Sequence, residues 1–190
     1  MKQVFFIIGG PGSGKGTQCK LLEKKINFTH INVGEILRNE RNKKNINSII
    51  INRYIDNGLI LPSHITVKLI IEEINKSHFD IILLDGFPRN IDNLKYWNNL
   101  KLNLNTNCIL FSCDENILIK RLIKRSKNSN RKDDNLEIIL KRIKIYNDNQ
   151  EKLLKYLNET INYNTIDTSR NIYTINEELY QSVTKYISPN

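Results

Sequence analysis

The chain has 190 residues, enough for one domain with a sizeable core. A net charge of +9 and a pI near 9.4 point to anionic partners, nucleotides or nucleic acid, but Asn, Ile, Leu and Lys dominate and Ala is absent, so part of that charge is compositional. Three cysteines (Cys19, Cys108, Cys113) lack CxxC spacing and read as reduced thiols, and no apolar stretch approaches the ~20 residues of a membrane span.

Val4–Ile8 is a continuous apolar run of buried-strand length. It leads directly into Gly9-Gly10-Pro11-Gly12-Ser13-Gly14-Lys15-Gly16-Thr17, and Gly16–Lys25 reads as a helix. Strand, glycine-rich turn, lysine and helix form the order in which backbone N–H groups and a helix N-terminus hold phosphates. The spacing from Gly9 to Gly14-Lys15 fits a phosphate loop, except that Gly16 takes the Ser/Thr position and Thr17 follows it. A weak strand surrounds Ile31, and helices are predicted over Gly34–Arg41, Ile46–Asn57 and Ile65–Lys76. The apolar strand Ile81–Leu84 ends on Asp85-Gly86-Phe87-Pro88-Arg89-Asn90. Helix Ile91–Leu100, strand Cys108–Phe111 and helix Glu115–Arg125 come next. Ser126–Asp134 is polar without apolar periodicity and reads as an exposed loop or a flap. Helices Asn135–Leu157 and Tyr173–Tyr186 flank a fainter strand, Asn164–Asp167. This alternation predicts an α/β fold, a five-stranded parallel sheet with helices on both faces. Ligands then gather beyond the carboxyl ends of the strands.

Those ends carry chemistry. Lys15 would bring a positive charge to phosphates held by the loop. Asp85, closing an apolar strand, suits a carboxylate that handles Mg²⁺ or, more plainly, a turn or helix-capping aspartate. Arg38, Arg89, Arg121, Arg125, Arg131 and Arg142 are planar forks suited to phosphate oxygens, and Arg121 and Arg125 share one helix face. Each could also be a solvated surface charge, but their places beside strand ends and the polar loop favour function.

Over essentially its whole length the sequence resembles the nucleoside monophosphate kinases of the adenylate kinase superfamily, with a P-loop NTPase fold. Gly9–Thr17 is similar to that family's phosphate loop, which accounts for Gly16 before Thr17. Asp85-Gly86-Phe87-Pro88-Arg89 is similar to its second signature, and Arg131-Lys132-Asp133-Asp134 with Arg142 to its lid and hinge. Asp85–Leu94 followed by Trp97-Asn98, with Leu37–Asn42, Asn57–Pro62 and Val33, resembles the UMP/CMP kinase branch, since adenylate kinases place Gln at the position of Asn93 and Thr at that of Val33. The short lid without cysteines excludes the zinc-binding variant. Leu136 stands where the family commonly has Arg, and Asn130 where Gly opens the lid turn; Lys132 could supply the missing phosphate contact.

The resemblance implies transfer of the γ-phosphoryl group of ATP to UMP or CMP, with dCMP as a further acceptor and Mg²⁺ as cofactor. It implies that Gly12, Ser13, Gly14, Lys15, Gly16 and Thr17 hold the ATP phosphates, that Arg125 also binds ATP, and that Arg121 and Arg170 lie near the adenine. Lys15, Arg89, Arg125, Arg131 and Arg142 would form the catalytic set. Arg38 and Arg89 would grip the acceptor phosphate, with Arg131 and Arg142 closing over it. Leu59, Ile60, Leu61, Gly86, Phe87 and Pro88 would border the acceptor, and Asn93 would read its base. Asp133 and Asp134 would orient the arginines, and Asp85 would order Mg²⁺ through water. An amide that can turn over offers one reason for Asn93 to accept both pyrimidines; a polar surface residue is the plainer reading. The expected organisation is one kinase domain, 1–190, with a core (1–32, 63–125, 137–190), an acceptor-binding insertion (33–62) and a lid (126–136). The expected partners are ATP and pyrimidine monophosphates, without nucleic acid or membrane. The resemblance implies a monomer, and a cytoplasmic place, the nucleus being a further compartment, is expected because the first strand leaves no room for a leader. The competing readings are an adenylate kinase acting on AMP and a basic nucleic-acid-binding protein, which would need a basic stripe with interleaved aromatics.

Overall fold

Alternation within the first strand divides the core. In a strand successive side chains face opposite sides, and β1 (Gln3–Gly9) sends Val4, Phe6 and Ile8 into one hydrophobic cluster and Phe5 and Ile7 into another. It is buried on both faces because it lies at the centre of a five-stranded parallel sheet, as the continuous apolar run predicted. The computed structural model describes residues 1–43, 46–127, 134–161 and 163–186.

In chain order β1 is followed by α1 (Lys15–Leu22), β2 (Thr29–Asn32), α2 (Val33–Arg41), α3 (Ile46–Asp56), α4 (Ser63–Lys76) and β3 (Ile81–Asp85). Then come α5 (Ile91–Asn99), β4 (Asn105–Ser112), α6 (Glu115–Ser126), α7 (Leu136–Thr160), β5 (Tyr163–Asp167) and α8 (Ile172–Thr184). The strand order is β2-β3-β1-β4-β5. Ile7 is level with Asp85 of β3 and Ile109 of β4, so the phosphate loop and the Asp85 turn leave the sheet side by side. Residues of α4, α5 and α7 cover one face, and residues of α1 and α8 the other.

The abundance of Asn has a local use. Side chains of Asn32, Asn90, Asp114, Asn135 and Asn171 accept a backbone N–H in the first turns of α2, α5, α6, α7 and α8. Each such cap stabilises its helix by about 1 kcal/mol. A cluster of Phe6, Phe87 and Trp97, with centroids 5.4–5.6 Å apart and Phe6 edge-to-face with both partners, ties the turn after β3 and helix α5 to the central strand. That turn is therefore placed by the core, whereas its polar residues are left for the cleft.

Candidate active site

The loop between β1 and α1 is shaped by what its glycines exclude. A Cβ on Gly9 would lie 2.5 Å from the Phe111 carbonyl oxygen, and one on Gly12, at φ +87°, 2.8 Å from that of Leu118. Only glycine lets this loop pass so close to β4 and α6. Gly14 then starts α1 without a side-chain cap, leaving the first N–H groups of the helix directed at the cleft. Lys15 lies folded on the loop, donating to the carbonyls of Gly9 (2.8 Å) and Gly10 (2.9 Å) and to Ser13 Oγ (3.2 Å). Burial lowers its ammonium pKa to about 8; Arg89 and Arg142 act in the same direction, while Asp85 opposes it.

One cavity of about 970 Å³ opens above this loop. Arg38, Arg89, Arg121, Arg125, Arg142 and Arg170 all line it, together with Gly12–Thr17, Leu59, Ile60, Leu61, Asp85, Gly86 and Pro88. Residues separated by well over a hundred positions are thus brought to one place. The arginines are held in position. Arg125 forks onto Asp134 (2.8 and 2.7 Å), whose side chain is 1% exposed, and Arg142 Nη1 lies 3.6 Å from the same carboxylate. Arg121 donates to the Thr168 carbonyl (2.8 Å), Arg89 to that of Gly86 (3.1 Å), and Arg170 forks onto Glu178 (2.7 and 2.6 Å).

Asp85 is not a helix cap, because Asn90 caps α5. It is 5% exposed and accepts from Asn32 Nδ2 at 2.6 Å. Among the described residues Asp85 and Glu35 are the acidic ones lining the cavity, and no group of three His, Cys, Asp or Glu could hold a metal. A single carboxylate beside a phosphate loop fits Mg²⁺, which keeps several waters and takes phosphate oxygens. It does not fit a tetrahedral zinc site.

Among the described candidate residues, Phe87, Asn93 and the arginine-orienting Asp134 lie apart from the cavity lining. Phe87 is fully buried in the aromatic cluster, so its side chain anchors the turn. Asn93 is 1% exposed, not a surface residue; its Oδ1 accepts from the Arg89 N–H (3.1 Å) and its Nδ2 donates to Ser63 Oγ (2.9 Å). This corrects the reversible amide: turning it over would set its NH₂ group against a backbone N–H that can only donate. Arg131 and Asp133, with Asn130 and Lys132, fall outside the described residues.

The sequence reading passed over His30, Asn32 and Tyr146, all at the cavity. Tyr146 lies against Gly10 and bonds its backbone, and burial pushes its hydroxyl up to about 12. Its place four residues after Arg142, on the same face of α7, was the available signal.

The sequence model of the family described as adenylate kinase matches residues 7–162. The chain is 37% identical to the UMP-CMP kinase of Bos taurus over 192 aligned positions, covering 96% of this chain and 95% of that protein. It is 36% identical to the UMP-CMP kinase of Homo sapiens (94% and 95% covered) and 35% identical to the uridylate kinase of Schizosaccharomyces pombe (98% and 100% covered).

Proposed function

The chain belongs to the adenylate kinase family, and from that premise we propose that it transfers the γ-phosphoryl group of ATP to UMP or CMP, with dCMP as a further acceptor. The products are ADP and the nucleoside diphosphate. The observation that carries this reading is the convergence of six arginines on the cavity above a single phosphate loop. One bound nucleotide does not need so much positive charge, whereas two facing phosphate chains do. The pyrimidine acceptor follows from near full-length similarity to UMP-CMP kinases.

Phosphoryl transfer needs in-line placement and charge balance, with little covalent work by side chains. In this reading the amides of Gly12–Thr17 hold the donor phosphates and Lys15 leaves the loop carbonyls to follow the transferred group. Arg38 and Arg89 hold the acceptor phosphate, with Leu59–Leu61 and the 86–88 turn along its nucleoside. Arg125 and Arg142, aimed by Asp134, neutralise charge that builds on the equatorial oxygens; Arg121 and Arg170 face the donor base. Asp85 would hold Mg²⁺ through its water shell, and the ion would supply further charge neutralisation to the ATP phosphates. Residues 33–62 act as the acceptor arm and 126–136, with Arg131 and Asp133, as the lid, excluding the water that would otherwise compete. We place the protein in the cytoplasm as a monomer.

The lowered pKa of Lys15 gives a pH dependence. The protonated amine is the useful form, so in the free enzyme that form is present below about pH 8 and lost above it. The kcat/KM for ATP should fall about tenfold per pH unit above that point. Bound phosphates favour the charged amine, so kcat should decline only at higher pH. A kcat/KM profile flat to pH 10 would refute the role given to Lys15.

Acceptor choice is tested by ATP consumption with UMP, CMP, dCMP, AMP and GMP, for the wild type and Asn93→Asp. The carboxylate of the variant can still accept from Arg89 N–H, and Ser63 can donate to it, so the fold should survive. In this reading Asn93 Nδ2 exchanges Ser63 Oγ for the acceptor base while Oδ1 stays on Arg89 N–H, so the UMP:CMP ratio should shift by roughly tenfold. Equal losses for both pyrimidines would argue against base reading by Asn93, and fastest turnover of AMP would overturn the acceptor class. Salt-dependent nucleic-acid binding without monophosphate-dependent turnover would overturn the kinase reading.

A further inference from the structure

We infer that Asn32 is a positioning residue for Asp85 and that it joins this carboxylate to the first turn of the acceptor arm. The amide is committed at both ends. Its Nδ2 donates to Asp85 Oδ2 at 2.6 Å, and its Oδ1 accepts from Glu35 N–H at 2.9 Å in the first turn of α2. Because a backbone N–H can only donate and an ionised carboxylate can only accept, one orientation of the amide satisfies both.

The surroundings leave it little freedom. A Cβ at Gly16 would lie 3.3 Å from Asp85 Oδ2 and 3.5 Å from Asn32 Nδ2. A Cβ at Gly34 would lie 3.4 Å from Asn32 Oδ1 and 3.1 Å from Arg38 Nη1. The amide is thus seated between the phosphate loop and the helix that carries Arg38. His30 Nε2 stands 3.4 Å from the same Asp85 oxygen, and its Nδ1 lies 3.5 Å from Glu23 Oε1. Both neighbours address Oδ2. Among the described residues no protein donor reaches Oδ1, which remains the oxygen for a ligand in the cavity.

The consequence is directional. With Oδ2 pinned by an amide that also caps α2, the angle at which Oδ1 meets the cavity depends on where the arm's first turn sits. The inference rests on the reading of Asp85 as the carboxylate facing ATP-bound Mg²⁺.

The test separates capping from positioning. Asn32→Ser keeps a side-chain oxygen able to cap α2 but loses the amide N–H, whereas Asn32→Ala loses both. ATP affinity is measured by titration calorimetry with and without Mg²⁺, beside thermal melts. Asn32→Ser should melt within about 2 °C of the wild type and Asn32→Ala lower. Both should forfeit roughly tenfold of the affinity for ATP that Mg²⁺ confers, and the Mg²⁺ needed for half-maximal rate should rise by a similar factor. Added to Asp85→Asn, Asn32→Ser should change nothing further, since it acts through the missing carboxylate. Unaltered Mg²⁺-dependent affinity in Asn32→Ser, or an undiminished effect in the Asp85→Asn background, would overturn the inference. Wild-type protein that binds ATP with Mg²⁺ but turns over no pyrimidine monophosphate would instead defeat the proposed reaction, leaving the binding experiment to judge Asn32.

Discussion

Replacing Lys15 by Met should lower kcat/KM for ATP by roughly a thousandfold or more without lowering the melting temperature. The rate effect follows from removing the only lysine side chain held on the phosphate loop itself, by Gly9, Gly10 and Ser13 among the described residues. A preorganised charge aimed at a transferring phosphoryl group contributes about 10²–10³-fold or more, and a thousandfold corresponds to about 4 kcal/mol of barrier. The stability effect has the opposite sign. Burial lowers the Lys15 pKa to about 8, so the folded protein holds this ammonium less readily than water does. Met has a similar reach and no charge to desolvate, although it leaves two carbonyls without their donor. These contributions offset each other. Stopped turnover in a protein that melts like the wild type identifies Lys15 as a group kept for chemistry; a variant with near-normal turnover would refute that.

Asp134→Ala should combine a loss of rate with a loss of stability. The nearly buried carboxylate receives the fork of Arg125 and lies 3.6 Å from Arg142, bridging α6 and α7. Without it Arg125 and Arg142 lose the carboxylate they share. Breaking a buried pair costs about 3–5 kcal/mol, but the Arg125 side chain is 34% exposed and can regain water, so about 2 kcal/mol is the appropriate scale. For a chain of this length that is a fall of about 5 °C in Tm. The kcat should drop roughly a hundredfold, with kcat/KM falling in parallel, because arginines that lose their aim cease to favour the transition state. Asp134→Asn, which retains an acceptor, should recover most of the stability and less of the rate. A Tm loss with unchanged kcat would reduce Asp134 to a structural clasp.

Continuous apolar runs made β1 and β3 legible, since both lie inside the sheet and are covered on two faces. The edge strands were fainter for the same reason. In β2 only Ile31 is buried and in β5 only Ile166, so neither has the run of apolar residues that marks a central strand. The strand read as Cys108–Phe111 begins at Asn105, because the polar Asn105-Thr106-Asn107 pairs with β1 through the backbone ladder and an Asn107 Nδ2 bond to Gln3 Oε1 (3.3 Å), neither of which needs an apolar side chain. The first helix stops at Leu22 and not Lys25; the chain turns there through the Glu23 and Lys25 amides. At the site, the glycine loop and the arginines carried their own signals in residue type and place. Asn32 did not, since its meaning arises from a contact with a residue 53 positions away. Nor could composition show that the Asn93 amide is fixed by Arg89 N–H.

The strand order has an evolutionary consequence. With β1 central, the Asp85 turn, Asn32 and α2 emerge on the β3–β2 side, whereas α6, Thr168 and Arg170 belong to the β4–β5 side. On the proposed reading α2 and the 86–88 turn serve the acceptor and α6, Thr168 and Arg170 the donor, while Asp85 and Asn32, which face ATP-bound Mg²⁺, lie at the seam between the two halves. Mutations that retune which monophosphate is taken can therefore accumulate in one half of the sheet while ATP recognition in the other is left untouched. Such modularity lets one scaffold diversify its clientele without surrendering its fuel.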